Sequence, residues 1–433
     1  MFFGLFDSVE KKMRDSAANW LELADKVYAY RRDRLSEQDL NALQQSALSL
    51  RRQLREKSDA SKLKLGIEAL EVVLRRTGGT HYPKSGIMEN VEFFLVAAIV
   101  ILGIRMYFVQ PFKIPTNSMW PSYNGMTPEV FATKADEPSA LAKAVRFAAM
   151  GARSRTLDAP VDGEVLIPVM GNGDRVAIPY REVTGRDWFV FPARHKEYTL
   201  FVNERPVTVT VPRDFDFEWV IRDAFIPKQA SGHDPGGVDL AAYLNANAGQ
   251  VVRMADGKPA WRTGKSVRVG DRVLAFDILT GDQLFVDRLS YHFVRPQPGD
   301  GFVFRTDHLD SPFMKDAAGR QLEQYYIKRL AGTPGDTLEI RDFTLYRNGQ
   351  PADGAKAFGA NAKRDPHFSG YRASGLLATG QVFTVPADSY VALGDNSANS
   401  QDSRYWGAVQ SQDVVGRPLF IYYPFTHRWG PAP

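Results

Sequence analysis

The sequence predicts a mainly β chain with one membrane-spanning helix and a helical N-terminal region, and three observations predict it. Phe93 to Ile104 (FFLVAAIVILGI) is an unbroken apolar run; before it apolar residues recur at helical spacing, and after it they alternate at period two behind Gly-Asp turns. At 433 residues the chain has room for two or three domains and at least one sizeable core. It contains no cysteine, which excludes a disulfide scaffold, a CxxC redox centre, a thiolate zinc site and a cysteine nucleophile but leaves the compartment open. Lys and Arg total 54 against 50 Asp and Glu, and a net charge of +4 gives no argument for a nucleic-acid partner. A mean hydropathy of -0.30 excludes a polytopic membrane protein and is compatible with a single span.

Residues 1–90 read as a cytoplasmic helical region. Val9, Met13, Trp20, Ala24 and Val27 fall near helical spacing, and Ser36 followed by Asp39 predicts an N-cap ahead of Leu40, Leu43, Ala47 and Leu54. A third helix, with Leu63, Ile67, Leu70 and Leu74, stops at Gly78 and Gly79. The pattern suits a small bundle or coiled coil as well as a docking module, and no cleavable signal peptide is expected ahead of it. Residues 91–109 are the transmembrane helix: Val91 to Val109 reaches about 28 Å, close to a hydrocarbon core, with Glu92 and Arg105 near enough to the ends to snorkel. Arg75, Arg76 and Lys84 before the run put the N-terminus in the cytoplasm and everything after Pro111 across the membrane.

Beyond the span, Gly-Asp turns at Gly270, Gly281, Gly299 and Gly335 each precede alternating apolar residues, as turns of one antiparallel β architecture. Asn348-Gly349 adds a hairpin signal. Residues 127–269 read as an inserted β-rich domain, with a helix from Ser139 to Met150 and strands such as GEVLIPV, DWFVF, YTLFV and PVTVTV. Gln350 to Gly380, rich in Ala, Gly and Lys, reads as a long loop.

Two common chemistries fall away. Gly264-Lys265-Ser266 has the tail of a P-loop, but Pro259 stands where the motif needs glycine. There is no G-x-S-x-G or H-E-x-x-H, and the histidines (81, 195, 233, 292, 308, 367 and 427) lack ligand spacing, so no metal or cofactor is expected. Three segments remain. Ser118 lies in the proline-bounded stretch Pro111 to Pro121, where it reads as a turn serine unless its place just beyond the span is used for chemistry on something in or near the bilayer. In Tyr325-Tyr326-Ile327-Lys328-Arg329-Leu330, a strand puts Lys328 on the face of Tyr326 and Leu330 and Arg329 on the other. A lysine on an apolar face loses hydration, and its amine moves towards a general base; the same residue suits a sheet edge. Gly394 to Arg404 (GDNSANSQDSR) is dense in small polar residues, as in any hydrogen-bonded loop.

Together these segments resemble type I signal peptidase, the family of membrane-anchored Ser/Lys proteases that remove signal peptides from exported proteins. The serine box resembles IPTNSMWP, the strand box PGDGFVF at Pro298 to Phe304, the lysine box YYIKRLAGTPGDTLEI, and the C-terminal box ALGDNSANSQDSRYWGAV. The order is the family's, and the resemblance covers roughly 91–126 and 270–425, leaving the first ninety residues and the insert uncovered. It implies a catalytic domain of signal-peptidase-like antiparallel β-sheets formed by 110–126 and 270–433. It implies Ser118 as nucleophile, Lys328 as general base, the Ser118 N–H and the Thr116 hydroxyl as oxyanion donors, and Ser400 as the residue that orients the lysine amine. Asp395, Asp402 and Arg404 would order the adjacent loop, with Asp395 as partner of Arg329. Phe112, Ile114, Met119, Val303, Tyr326 and Ile327 would wall the shallow pockets behind an Ala-X-Ala preference.

The implied partners are signal-peptide-bearing preproteins at the export machinery and the lipid bilayer, with no nucleic acid. The implied location is the bacterial plasma (inner) membrane, single-pass, with the catalytic domain extracytoplasmic. The chain departs from the pattern in having Ser397 and Ala398 where a charged Arg-Asp pair is usual, Asn117 where glycine is usual, and a large insert able to narrow access or recruit a substrate class. A non-catalytic, membrane-tethered β module would not need both Ser118 and Lys328, and a self-cleaving Ser/Lys repressor would need a DNA-binding helix-turn-helix in place of the span.

Overall fold

A computed structural model describes residues 9–83, 86–172, 175–187, 191–227, 240–315, 319–321 and 323–433. Lys84, His233 and the Trp188–Val190 part of the expected strand DWFVF lie outside the described residues. The chain forms two compact units, Met1–Leu102 and Gly103–Pro433.

In the first unit, helices α1 (Val9–Arg31), α2 (Glu37–Arg55) and α3 (Ala60–Thr77) pack on one another. The Ser36 hydroxyl accepts from the Asp39 N–H and the Asp59 carboxylate from the Lys62 N–H, so each of α2 and α3 starts on a side-chain cap. Val27, Leu43, Leu50, Leu63, Leu70 and Leu74 form the bundle core. Met13 and Trp20 pack at its edge, whereas Val9, 72% exposed, is outside it. Gly78 caps α3, and Gly79 follows at φ +59°.

Helix α4 runs Gly86–Tyr107, and its segment Asn90–Tyr107 has a mean hydropathy of 1.8 with none of it buried, so it is long and apolar enough to cross a membrane. It ends two residues earlier than expected. Val109 instead opens the strand Val109–Lys113, which pairs antiparallel with Gln283–Asp287. The cause is local: Pro111 has no N–H to continue a helix and biases the residue before it towards extended backbone, which the ladder then captures.

The main sheet runs in the order Val109–Lys113, Gln283–Asp287, Val414–Tyr423, Gly301–Arg305, Tyr325–Gly332, Ser389–Leu393, Val409–Gln410, every pair antiparallel. The Gly-Asp signals do not mark one sheet. Gly270, Gly299 and Gly335 have φ of +83°, +100° and +87°, and the carboxylates of Asp271, Asp300 and Asp336 each accept the backbone N–H three residues back, from Arg268, Gln297 and Thr333. Gly281-Asp282 is different, as described below. Asn348 and Gly349, at φ +52° and +78°, make the expected tight hairpin between Thr344–Arg347 and Gln350–Pro351. That hairpin belongs to a separate four-stranded sheet with Thr337–Arg341 and Phe383–Thr384.

The stretch from Gln350 to Gly380 is not simply a loop. It contains the helix Lys356–Lys363 and buries Phe358, Tyr371 and Leu377 against Leu338 and Leu345. Two aromatics and a leucine in an Ala/Gly/Lys-rich segment are enough to hold it down.

The insert has helix α5 (Ala140–Met150), capped by Ser139 and ended by Gly151 at φ +61°, and a six-stranded antiparallel sheet containing Gly163–Pro168, Phe191–Val202 and Arg205–Pro212. Helix α6 (Phe217–Phe225) covers its core of Val165, Leu200, Phe217 and Trp261. The strand Arg272–Leu279 pairs with Thr127–Val130 and Arg153–Asp158, and its Leu274 and Phe276 join the insert core.

Candidate active site

The main sheet brings the serine and lysine segments together. Ser118 lies just past the end of the first strand, in a short turn where the Trp120 N–H bonds to the Asn117 carbonyl and the Tyr123 N–H to the Met119 carbonyl. Lys328 lies on the strand Tyr325–Gly332, opposite Phe302. Its Nζ is 2.5 Å from Ser118 Oγ, across 210 residues of sequence. Lys328 is 3% exposed, and the amine stands 5.5 Å from the centre of the Tyr326 ring, on the face the strand alternation assigns to it. Burial lowers its pKa to about 8; the smaller effects of Asp402 and Asp395 oppose this, and that of Arg404 adds to it. A buried amine in that range, in contact with a hydroxyl, is suited to accept its proton.

The polar C-terminal loop surrounds this pair. Arg329 points away from Lys328 and donates to both carboxylate oxygens of Asp395, at 2.6 and 3.2 Å, and to the Gly299 carbonyl at 2.9 Å. Arg404 donates to both Asp402 oxygens at 2.7 and 2.8 Å, and Asp402 also accepts the Gly394 N–H at 3.0 Å. Ser397, where the usual arginine is missing, accepts from Arg404 Nη1 at 2.8 Å and from the Arg372 N–H at 2.9 Å, so this departure leaves the loop cross-linked. Ser400 is buried, but its Oγ has no hydrogen-bond partner, so the expected bond to the lysine amine is not made in this geometry. Burying a hydroxyl without a partner is costly, so Ser400 Oγ stands as an uncommitted donor and acceptor in the site.

A cavity of about 1190 Å³ opens over the dyad and is lined by Thr116, Ser118, Lys328 and Ser400. Phe112, Ile114, Val303, Tyr326 and Ile327 line it as expected. Met119 does not. It is fully buried among Ile114, Tyr123, Leu284 and Val303, because the turn after Ser118 sends its side chain down into the sheet rather than into the cavity. The Ser118 N–H has no partner among the described residues and is available as a donor.

Several residues that position the nucleophile carried no such expectation. The buried Asn117 side chain accepts from the Gly125 N–H at 2.9 Å and donates to the Met126 carbonyl at 2.7 Å, closing the serine segment on itself. Gly281-Asp282, the fourth Gly-Asp pair, braces the same segment: the Ile114 N–H bonds to the Asp282 carbonyl, and the Asp282 carboxylate accepts from the Asn124 N–H and from Arg428. A Cβ at Gly281 would lie 1.9 Å from the Ile114 oxygen, so only glycine permits this approach. At Gly394 a Cβ would meet the Ser118 oxygen at 2.5 Å and Ser400 Oγ at 2.1 Å, which explains the glycine that begins the polar loop.

The family profile described as "Signal peptidase, peptidase S26" matches residues 266–423. Probable signal peptidase I-1 of Synechocystis sp. is 35% identical over 150 residues, covering 35% of this chain and 66% of that protein. Signal peptidase I of Bacillus licheniformis is 34% identical over 136 residues, covering 29% of this chain and 67% of that protein. Signal peptidase I T of Bacillus subtilis (strain 168) is 30% identical, covering 34% of this chain and 67% of that protein. The chain thus spans about two thirds of the length of such relatives. A crystal structure of a signal peptidase I from Enterococcus faecalis V583 is 32% identical over 29% of this chain and 97% of its own, with a TM-score of 0.21. On the identity and the coverage of its bacterial relatives, this chain belongs to the signal peptidase I family, peptidase S26.

Proposed function

We propose that the chain is a membrane-bound serine endopeptidase that removes signal peptides from exported preproteins with a Ser118/Lys328 dyad. The observation that carries the reading is the 2.5 Å approach of Lys328 Nζ to Ser118 Oγ inside a substrate-sized cavity. With the amine neutral, Lys328 takes the Ser118 proton as Oγ attacks the scissile carbonyl. The oxyanion that forms is met by the Ser118 N–H and the Thr116 hydroxyl. Collapse of this intermediate breaks the C–N bond, the ammonium of Lys328 returns its proton to the leaving amine, and an acyl-enzyme on Ser118 remains. Water then enters, Lys328 takes one of its protons, and attack on the ester frees the signal peptide's carboxylate and restores Ser118. Ser400, buried without a partner, orients the amine once substrate shuts out solvent. Asp395, Asp402, Arg329 and Arg404 hold the loop around it.

In this reading α4 anchors the enzyme in the bacterial plasma membrane as a single pass, with residues 1–90 cytoplasmic and the catalytic parts, 110–126 and 270–433, outside with the insert 127–269. Preproteins at the export machinery are the substrates. The test is a preprotein cleavage assay in detergent with wild type, Ser118→Ala and Lys328→Ala. Processing by wild type and by neither variant is expected, and robust cleavage by Lys328→Ala would overturn the dyad.

A further inference from the structure

The insert forms part of the catalytic cavity. Besides the dyad, the cavity is lined by Tyr180 and Tyr198 from the insert's sheet, by Ile178 just before it, and by the segment Asp214-Phe215-Asp216-Phe217-Glu218. This segment alternates acidic and aromatic residues. Phe215 and Phe217, each 1% exposed, are buried beside Phe276, with ring centres 6.1 and 6.0 Å from it. Just beyond, Trp219 meets Trp120 of the serine segment edge-on at 5.8 Å, so this wall is fixed against the nucleophile's own turn.

Only one of the three acids is uncommitted. Asp216 caps α6 and lies 3.9 Å from Arg222, and Glu218 has a partner of its own. Asp214 is exposed and has no hydrogen-bond or ion-pair partner among the described residues. Of the insert's cations lining the cavity, Arg222 is engaged as above and Lys196 lies 4.8 Å over the Tyr180 ring; Lys113 and Arg372, which also line it, come from outside the insert. Asp214 shares the cavity lining with Tyr326, whose hydroxyl is pushed up by burial first and then by the Asp214 charge. Tyr326 is also the ring that Lys328 Nζ overlies. An unpaired carboxylate therefore lines the same cavity as the dyad, in the space a substrate chain must fill.

Resting on the endopeptidase reading, we propose that Asp214 is a specificity residue through which the insert selects preproteins with a lysine or arginine within a few residues of the scissile bond. A substrate cation there acquires a partner in a partly shielded cleft, while an acidic residue is repelled.

The experiment uses the full-length enzyme in detergent. Peptides spanning an Ala-X-Ala cleavage site carry Lys, Gln or Glu at each successive flanking position, and kcat/KM is measured for wild type, Asp214→Asn and Asp214→Lys. At one position, or two near each other, wild type is expected to favour Lys over Gln by roughly fivefold and to disfavour Glu. The preference disappears in Asp214→Asn and reverses in favour of Glu in Asp214→Lys. Charge ratios that are the same in wild type and Asp214→Lys at every position would overturn the inference even while the Gln peptides are cleaved. If wild type cleaves no peptide and no preprotein, the endopeptidase reading is what fails.

Discussion

The side-chain amide of Asn396 donates to the Asn117 carbonyl at 3.0 Å, joining the polar C-terminal loop to the residue just before the nucleophile. The Asn396 N–H also donates to the Ser118 carbonyl at 3.1 Å, and the Asn117 side chain clasps Gly125 and Met126. Two asparagines thus fix the backbone whose N–H is to meet the oxyanion. Asn117→Ala leaves a buried N–H and carbonyl unpaired, and Asn396→Ala removes the side-chain half of the link between the two loops while its backbone bond to Ser118 stays. Each is expected to lower kcat by roughly ten- to a hundredfold with little change in KM, since positioning is lost while the apolar pocket walls Phe112, Ile114, Val303, Tyr326 and Ile327 are kept. Steady-state kinetics on one peptide substrate decide this; a rise in KM at constant kcat would count against it.

Because burial brings the Lys328 pKa down from 10.5 to about 8, cleavage is expected to rise through an apparent pKa near 8 and level off above it. An optimum near pH 5 would contradict this. Stability follows with a definite sign. Between pH 8 and 10.5 the unfolded lysine holds its proton and the folded one does not, so stability rises with pH across that window and is lost as pH falls towards 8. The full effect is on the order of 3 kcal/mol. Lys328→Met removes the buried charge, so it should be inactive yet at least as stable as wild type at pH 7, with a flatter stability profile from pH 8 to 10.5 by chemical denaturation.

The Arg329–Asp395 pair, at 4% and 0% exposure, is a buried ion pair with its remaining donor placed on Gly299. Burial disfavours the Arg329 charge, and the Asp395 carboxylate more than offsets that, holding the guanidinium above its usual range. Asp395→Ala strands a buried cation and should cost about 3 to 5 kcal/mol, while Arg329→Met with Asp395→Leu recovers much of the loss. Urea titrations of the single and double variants test this; additive losses would argue against coupling.

Much of this was legible in local pattern. Leu63, Ile67, Leu70 and Leu74 recur at helical spacing, and Ser36 with Asp39 forms the cap that spacing implies. Lys328 and Arg329 point to opposite faces because strand geometry requires it. The serine and lysine segments were found by resemblance and joined only by the sheet order, since nothing local in sequence brings Ser118 to a residue 210 positions away. What remained unread depends on tertiary context. Met119 looks like a pocket residue until the turn after Ser118 sends it into the core. Gly281-Asp282 has the spelling of the other Gly-Asp turns, yet it braces Ile114 and Asn124 because that strand passes under the serine segment. Arg272–Leu279 alternates like its neighbours, and only its pairing partners show that it completes the insert's core.

The segment Asn90–Tyr107 is exposed around its whole circumference, with Phe93, Phe94, Ile99 and Ile101 each at least 63% accessible. A helix apolar on every side is suited to lipid and not to water. Arg75 and Arg76, in the last turn of α3, lie within the range over which basic residues hold a segment on the cytoplasmic side. Protease added to the outer face of spheroplasts is therefore expected to degrade the part after Pro111 and leave a protected fragment carrying the three-helix bundle. Protease added to inverted membrane vesicles should do the opposite, removing the bundle and sparing the β-rich part. Digestion of the bundle from the outer face would reverse the proposed topology and with it the exposure of the dyad to exported chains.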